Sequence, residues 1–242
     1  MGVDGCGKRV LAAGMLFVGM VALLIPAVRA GNGESRAAGL FGSVEFRTTL
    51  KVLPHWQRVK GLADAQMGRL IAWKAEGRPR PLTQWQAMMA RARRQTTMEK
   101  LVTVNRFFNR WPYRLDREVY GASDYWATPE EFMIQSGDCE DYGIAKYFTL
   151  RQLGLSSAEM RLVVVRDRIR GIGHAVLAVY MGDDIFILDN LTDQVLSHTL
   201  YRHYQPQYSV NETHGWAHLI SNQMIYSGGE NKIKNKSLGI DP

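Results

Sequence analysis

The chain has 242 residues, of which 46% are hydrophobic and 22% charged, and this ordinary globular composition excludes a collagen-like, low-complexity or wholly disordered protein. Its formal net charge is +7, but basic and aromatic residues are not interleaved as in nucleic-acid-binding segments, so we expect no nucleic-acid partner. Two cysteines are too few for a disulfide-stapled scaffold or a cysteine-type zinc site.

Residues 1–30 have the features of an export signal. A basic pair precedes an apolar run of 18 residues from Leu11 to Val28, and Val28-Arg29-Ala30 offers small residues at the positions that a signal peptidase reads. The run also reaches the lower limit for crossing a membrane, so an uncleaved anchor is the alternative. Cleavage would remove Cys6 and lower the net charge to +5, because residues 1–30 carry three basic residues and one acidic residue.

The rest of the chain is predicted to form one domain over residues 31–227 and a mobile tail, rich in Gly, Asn and Lys, over residues 228–242. From about Leu50 to Arg110, apolar residues recur at spacings of three and four, which predicts helices with a break at Gly77–Pro81.

Two further helices are predicted around the mature chain's one cysteine. Thr128-Pro129-Glu130-Glu131 is a capping box with proline at the first helical position, and the short helix that it begins is predicted to end at Gly137. The next helix is predicted over Asp138 to Leu153, which places Cys139 in its first turn. A helix N-terminus favours thiolate over thiol, so Cys139 is a candidate nucleophile; an inert buried cysteine is the alternative.

Three strands are predicted after the helices: Leu162–Arg166, His174–Met181 and Asp184–Leu191. The order of helices followed by strands indicates an α+β fold in which an N-terminal helical part packs on an antiparallel sheet. Gly182-Asp183 is a signal for a two-residue hairpin turn, because glycine adopts the positive φ that such a turn needs.

The hairpin register predicts a histidine–carboxylate pair. With a two-residue turn Met181 pairs with Asp184, so His174 lies opposite Leu191 and Asp189 lies on the same face as His174. Such a carboxylate would orient the imidazole for acyl-transfer chemistry with Cys139. A turn one residue longer would move Asp189 to the opposite face. The remaining histidines are interpreted as structural or exposed residues on helices or loops: His55, His198, His203, His214 and His218.

Acidic residues surround the candidate nucleophile. Asp138, Glu140 and Asp141 oppose a thiolate, because like charges disfavour ionisation. A bound calcium ion would neutralise them and fix the loop that carries Cys139. Acidic residues that complement the helix dipole without a metal are the alternative.

Several segments between about residues 105 and 220 carry a family resemblance: Asn105–Asn109, Tyr125–Phe132, Gly137–Tyr142, Ala145–Tyr147, His174–Leu177 and Leu188–Leu191. In these the chain resembles the bacterial transglutaminase-like cysteine proteinases, and among them the periplasmic proteases that release biofilm adhesins. The resemblance implies a papain-like, transglutaminase-like core with Cys139 as nucleophile, His174 as base and Asp189 as the residue that orients His174.

The resemblance also implies a cofactor and partners. Calcium is expected at Asp138, Glu140 and Asp141, and the expected substrate is a large surface adhesin cut near its N-terminus. An inner-membrane receptor for cyclic di-GMP is expected to sequester the protease when the second messenger is abundant. Two other functions stay open from the residues themselves: a transamidase that uses the same triad, and a non-enzymatic binding protein that uses the same cleft.

Overall fold

A computed structural model describes residues 39–48, 53–72 and 79–220. The predicted export signal at 1–30 and the predicted tail at 228–242 lie outside the described residues. None of the helices in the three described ranges is both long and apolar enough to cross a membrane.

The described residues form six α-helices, named here in chain order: α1 (Pro54–Ala72), α2 (Arg80–Ala92), α3 (Thr97–Phe108), α4 (Asp116–Val119), α5 (Pro129–Gln135) and α6 (Cys139–Gln152). The capping box predicted for α5 is confirmed, because Glu131 N–H donates to Thr128 Oγ1 at 3.3 Å and Thr128 N–H donates to Glu131 Oε2 at 2.8 Å. The helix ends at Gln135, earlier than predicted, because Ser136 adopts a positive φ of 66°.

Helix α6 is the central helix of the fold. Every residue from Cys139 to Leu150 is buried. It packs on the sheet on one side and on the other helices on the other side. Such burial explains why its sequence has almost no amphipathic pattern, since a helix surrounded by protein needs no polar face.

Seven strands in the described part of the chain form one antiparallel sheet with the order β1-β7-β6-β2-β3-β4-β5. Their bounds are β1 (Val44–Thr48), β2 (Met160–Asp167), β3 (Ile172–Met181), β4 (Asp184–Leu188), β5 (Leu196–Ser197), β6 (Tyr204–Val210) and β7 (Gly215–Leu219). The arrangement matches the predicted α+β class, a transglutaminase-like core with the helical part packed on an antiparallel sheet.

The β3–β4 hairpin has the predicted register. Met181 pairs with Asp184 and Leu177 with Leu188, and Gly182 has a φ of 61°. Strand β4 is shorter than predicted and ends at Leu188. Its continuation leaves the sheet because the Asp189 carboxylate accepts a hydrogen bond from Leu191 N–H at 3.0 Å, which bends the chain.

Both faces of the sheet are buried. Alternate residues of β2 and β3, such as Leu162 and Leu177, join the core beneath the helices. The intervening residues, such as Val163 and Val176, pack under Leu40 in a second, smaller core on the opposite face. The sheet therefore separates two cores, a larger one beneath the helices and a smaller one on its other face.

Candidate active site

Cys139 is the first residue of α6 and is buried. Its Sγ atom lies 3.2 Å from Oε2 of Glu140. The helix packs against β3, the strand that carries His174. The topology therefore brings the candidate nucleophile and the candidate base onto two neighbouring elements of the core.

His174 and Asp189 form the predicted pair. His174 Nε2 lies 2.9 Å from Asp189 Oδ1, and both side chains are buried. An ionised carboxylate only accepts hydrogen bonds, so Nε2 carries the proton in the neutral imidazole. The basic nitrogen is then Nδ1, which is the atom that would accept a proton from a thiol.

Tyr204 completes the surroundings of Asp189 and was not found by sequence reasoning. Its hydroxyl donates to Asp189 Oδ2 at 2.6 Å, and its ring centroid lies 5.7 Å from that of His174. Burial by itself raises the pKa of Asp189, but the charge and hydrogen bond of His174 and the donors Tyr204 and Leu191 outweigh it and hold the pKa well below its ordinary value. Asp189 therefore stays ionised beside the imidazole.

Asn105 in α3 and Asn109 at the end of this helix hydrogen-bond to the segment that carries Asp189. Asn109 Nδ2 donates to the carbonyl of Asp189 at 3.0 Å and to that of Thr192 at 2.9 Å. Asn105 Nδ2 donates to the Thr192 carbonyl at 2.8 Å. These contacts give a structural reason for the two asparagines that the family resemblance includes.

The acidic residues around Cys139 are also buried, and Asp141 ties three parts of the chain together. Its Oδ1 accepts from Ala127 N–H at 2.6 Å and its Oδ2 from Asp138 N–H at 3.1 Å. A side chain at Gly137 would clash with it, because an added Cβ would overlap Asp141 Oδ2. Glycine at 137 therefore permits this close approach.

Two more carboxylates belong to the cluster, Asp116 in α4 and Asp124 in the following loop. Ligand atoms of Asp116, Asp138 and Asp141 lie within 4.8 Å of one another, and so do those of Asp116, Asp124 and Glu140. The sequence carried no spacing signal for these two, since they lie 14 and more residues before Asp138 and only the fold brings them to it.

The cluster is electrostatically unfavourable when only carboxylates are considered. Burial, followed by repulsion from Asp138, raises the pKa of both Glu140 and Asp141 well above its ordinary value. Oxygen ligands at this spacing are the donor set that Ca²⁺ prefers, and a divalent ion would offset the repulsion. The predicted residues Asp138, Glu140 and Asp141 thus fit a calcium site, together with Asp116 and Asp124.

A buried lysine lies further along the same helix. Lys146 is fully buried in α6, and its Nζ makes no hydrogen bond within the described residues. Burial lowers its pKa to about 7, against the opposing effect of Asp189 and Asp193. Sequence reasoning assigned no role to this residue.

The sequence matches the family described as bacterial transglutaminase-like cysteine proteinase (BTLCP) over residues 82–224. Among solved structures, calcium-bound LapG of Legionella pneumophila is 30% identical, with a TM-score of 0.53, and the match covers 66% of this chain and 86% of that chain. EGTA-treated LapG of the same organism is 27% identical, with a TM-score of 0.53 and coverage of 69% and 91%. The comparison with curated proteins gives no match.

Proposed function

The chain belongs to the bacterial transglutaminase-like cysteine proteinases, and from this premise we propose that it is a calcium-dependent periplasmic endopeptidase. The proposed substrate is the N-terminal region of a large surface adhesin, whose cleavage releases the adhesin from the outer membrane and promotes biofilm dispersal. The likeness to LapG of Legionella pneumophila over 86% of that chain supports this choice within the family.

The observation that carries the proposal is the 2.9 Å contact between His174 Nε2 and Asp189 Oδ1 on the hairpin beside α6. A buried histidine–carboxylate pair next to a helix that begins with cysteine is the arrangement that thiol acyl transfer needs. A binding protein would not require these three residue types together.

The reaction would run in two halves. The Cys139 thiolate attacks the scissile carbonyl, and His174 gives its proton to the leaving amine. His174 then takes a proton from water, which attacks the acyl-enzyme and frees Cys139. Asp189 keeps the imidazole in one tautomer throughout, and the Cys139 N–H at the start of α6 is one donor for the oxyanion.

The chemistry requires Cys139 in its reduced form. Assays of the proposed activity therefore contain a thiol reductant, and the reductant-dependence of the activity is itself a readout of this requirement.

Calcium would be held by Asp138, Glu140 and Asp141, with Asp116 and Asp124 within reach of the same ion. Bound there, the ion supplies positive charge and rigidity rather than a reacting group. The Asp141 carboxylate also accepts hydrogen bonds from the backbone N–H groups of Ala127 and Asp138. These bonds hold Asp138, the residue before Cys139, in position.

The proposed location and regulation rest on the family resemblance and on residues 1–30. An export signal there would deliver the chain to the periplasm, or keep it at the inner membrane if uncleaved. An inner-membrane receptor for cyclic di-GMP would sequester the protease when the second messenger is abundant.

The test is cleavage of the N-terminal region of a large adhesin from the same organism, followed by gel electrophoresis, with calcium or with EGTA and in the presence of a reductant. We expect cleavage by the unmodified protein, and none by Cys139→Ala or by His174→Ala. Asp183→Asn, in the exposed hairpin turn, serves as the control and should cleave normally.

Each outcome has a distinct meaning. Cleavage that survives EGTA would overturn the calcium requirement but not the peptidase. Incorporation of a labelled amine in place of hydrolysis would indicate a transamidase, since water and amines compete for the same acyl-enzyme. A biological effect that Cys139→Ala retains would indicate a binding protein.

A further inference from the structure

A groove lies between α2 and the C-terminal end of α3, outside the catalytic residues. It has a volume of about 490 Å³, and its apolar lining residues include Met88, Phe107 and Trp111. A smaller cavity of about 190 Å³ adjoins it and shares Phe107 with it. Together these two cavities, called here the basic groove, would accommodate several residues of an extended peptide.

The charged side chains that line the basic groove are all positive. Arg91 and Arg110 line both cavities, Arg106 lines the smaller one, and neither cavity is lined by an acidic residue. All three arginines are exposed, and none of them forms an ion pair within residues 39–48, 53–72 and 79–220. Guanidinium groups bind carboxylates through paired hydrogen bonds, so the charge complement of this groove is an acidic segment.

The basic groove is joined directly to the candidate active site. The carbonyl of Trp111 accepts a 2.6 Å hydrogen bond from the hydroxyl of Tyr142, three residues after Cys139. Arg114 N–H donates to the carbonyl of Gly137 at 2.9 Å, so the chain leaving the groove runs beside the loop before the cysteine. On the other side, Asn109, next to Arg110, holds the carbonyl of Asp189.

We propose that the basic groove is a substrate subsite that binds an acidic segment of the protein substrate together with a bulky apolar side chain. The inference rests on the proposed peptidase function and adds a substrate class to it. The carboxylates pair with Arg91, Arg106 and Arg110, and the apolar side chain packs on Met88, Phe107 and Trp111. A peptide bound at Cys139 reaches the groove within about ten residues, since an extended chain spans roughly 3.3–3.6 Å per residue.

The test compares two substrates and two charge-reversal variants. The substrates are the adhesin fragment used above and the same fragment with every Asp and Glu within about ten residues of the cut replaced by Asn and Gln. The variants are Arg91→Glu/Arg110→Glu, in the groove, and Arg93→Glu/Arg94→Glu, directly after the end of α2, which line neither of its cavities and change the net charge equally.

We expect the groove variant to lower kcat/KM on the acidic fragment by roughly 10- to 100-fold, while the matched variant stays within about 2-fold of the unmodified protein. On the neutralised fragment the two variants should be equal. Raising the salt concentration should lower kcat/KM of the unmodified protein on the acidic fragment alone. Far-UV circular dichroism and Tm confirm folding, and Arg91→Gln/Arg110→Gln replaces the charge reversal if that variant fails to fold.

Equal cleavage of both fragments by all variants would overturn the proposal of an acidic subsite. So would a cleavage site with no Asp or Glu within about ten residues of the cut bond. If the unmodified protein cleaves neither fragment, the peptidase proposal fails, and the groove is judged by binding. Fluorescence anisotropy of labelled fragments on Cys139→Ala protein should then give tighter binding of the acidic fragment, lost in the groove variant. Equal binding of both fragments would overturn the subsite independently of catalysis.

Discussion

At the scale of single residues, Asp189 is the most constrained side chain of the candidate site. Its carboxylate accepts hydrogen bonds from His174, Leu191 and Tyr204, and its own carbonyl is held by Asn109. Each contact comes from a different part of the chain. The orientation of the imidazole therefore depends on residues that never touch a substrate.

Tyr204→Phe should lower kcat/KM roughly 10-fold with little change in KM, because a hydrogen bond to a charged group contributes about 1.5–3 kcal/mol. Steady-state kinetics at neutral pH measure kcat and KM separately.

Tyr201→Phe is the matched control for Tyr204→Phe. Its ring stacks on that of Tyr204 with 5.3 Å between centroids, yet its buried hydroxyl makes no hydrogen bond within the described part of the chain. Its kinetics should match those of the unmodified protein. An equal loss in both variants would mean that packing, and not the bond to Asp189, is responsible.

Lys146→Met should stabilise the protein at pH 6 by about 1–4 kcal/mol, since it replaces a buried ammonium with an apolar chain of similar length. The folded-state pKa of about 7 lies below the unfolded value. The unfolded chain therefore binds the extra proton between these two values, and the stability of the unmodified protein rises with pH there. The advantage of the variant should shrink from pH 7 to pH 10 in urea unfolding. A variant that is less stable at every pH would contradict this account.

At the scale of elements, His218 in β7 links the neighbouring strand β6 to Ser43, which lies just before β1 and is distant in sequence. Ser43 donates to the carbonyl of Leu40, so His218 Nδ1–H donates to Ser43 Oγ, at 2.8 Å. His218 Nε2 accepts from Ser209 at 2.8 Å. Both ring nitrogens are satisfied by a neutral imidazole, and burial lowers its pKa to about 4.

His218→Gln should make stability less sensitive to acid. In the unmodified protein the unfolded chain binds a proton near pH 6.5 while the folded chain does so only near pH 4, so unfolding free energy is lost as pH falls through this window. The loss attributable to His218 is about 3 kcal/mol. Urea unfolding at pH 7 and pH 4.5 measures it. His214→Gln, in the half-buried turn before β7, should keep the full loss; an unchanged loss in His218→Gln would refute the assignment.

Local signals predicted the helices and the hairpin, but they did not predict the strands that complete the sheet. The capping box at Thr128 and the glycine at 182 act within a few residues, so the chain reveals them directly. Strand β6 contains Pro206, which argues against a central strand, and the structure accommodates it beside a register shift between Val164 and Val165. His218, interpreted from sequence as helical or loop, lies in β7 because its partners are distant in the chain.

In the candidate site, too, local sequence signals predicted some contacts, whereas contacts between distant parts of the chain were not predicted. The His174–Asp189 pair followed from a turn of two residues, which sets the register of a hairpin. Tyr204, Asp116 and Asp124 come from separate elements, and no local spacing relates them to Cys139. The catalytic assignments of Cys139, His174 and Asp189 and the metal ligands stay predictions until the variants are measured.

At the scale of the whole molecule, the acidic cluster joins α4, the loop after it and the start of α6, so a bound ion should stabilise the entire domain. Calcium at roughly 100 times its Kd would add about 2.7 kcal/mol, which corresponds to a Tm increase of about 5–10 °C for a domain of this size. Thermal unfolding with calcium, with magnesium and with EGTA measures the shift.

The increase should be lost in Asp141→Asn and kept in Asp183→Asn, which lies in the exposed turn of the hairpin. Magnesium should raise the Tm less than calcium does, because Mg²⁺ requires a strict octahedral geometry and usually binds fewer protein ligands. A Tm that does not respond to calcium would favour carboxylates that complement the helix dipole, with no metal.

The pairing of β1 with β7 affects when the chain can complete its fold during synthesis. Val44 pairs with Leu219, so the first and last described strands are neighbours, and this edge of the sheet forms only when both are present. Contacts between residues so distant in the chain are costly in loop entropy and form slowly. A nascent chain that ends before β6 lacks the strands that join β1 to the rest of the sheet, so folding is completed late, after synthesis has passed residue 219.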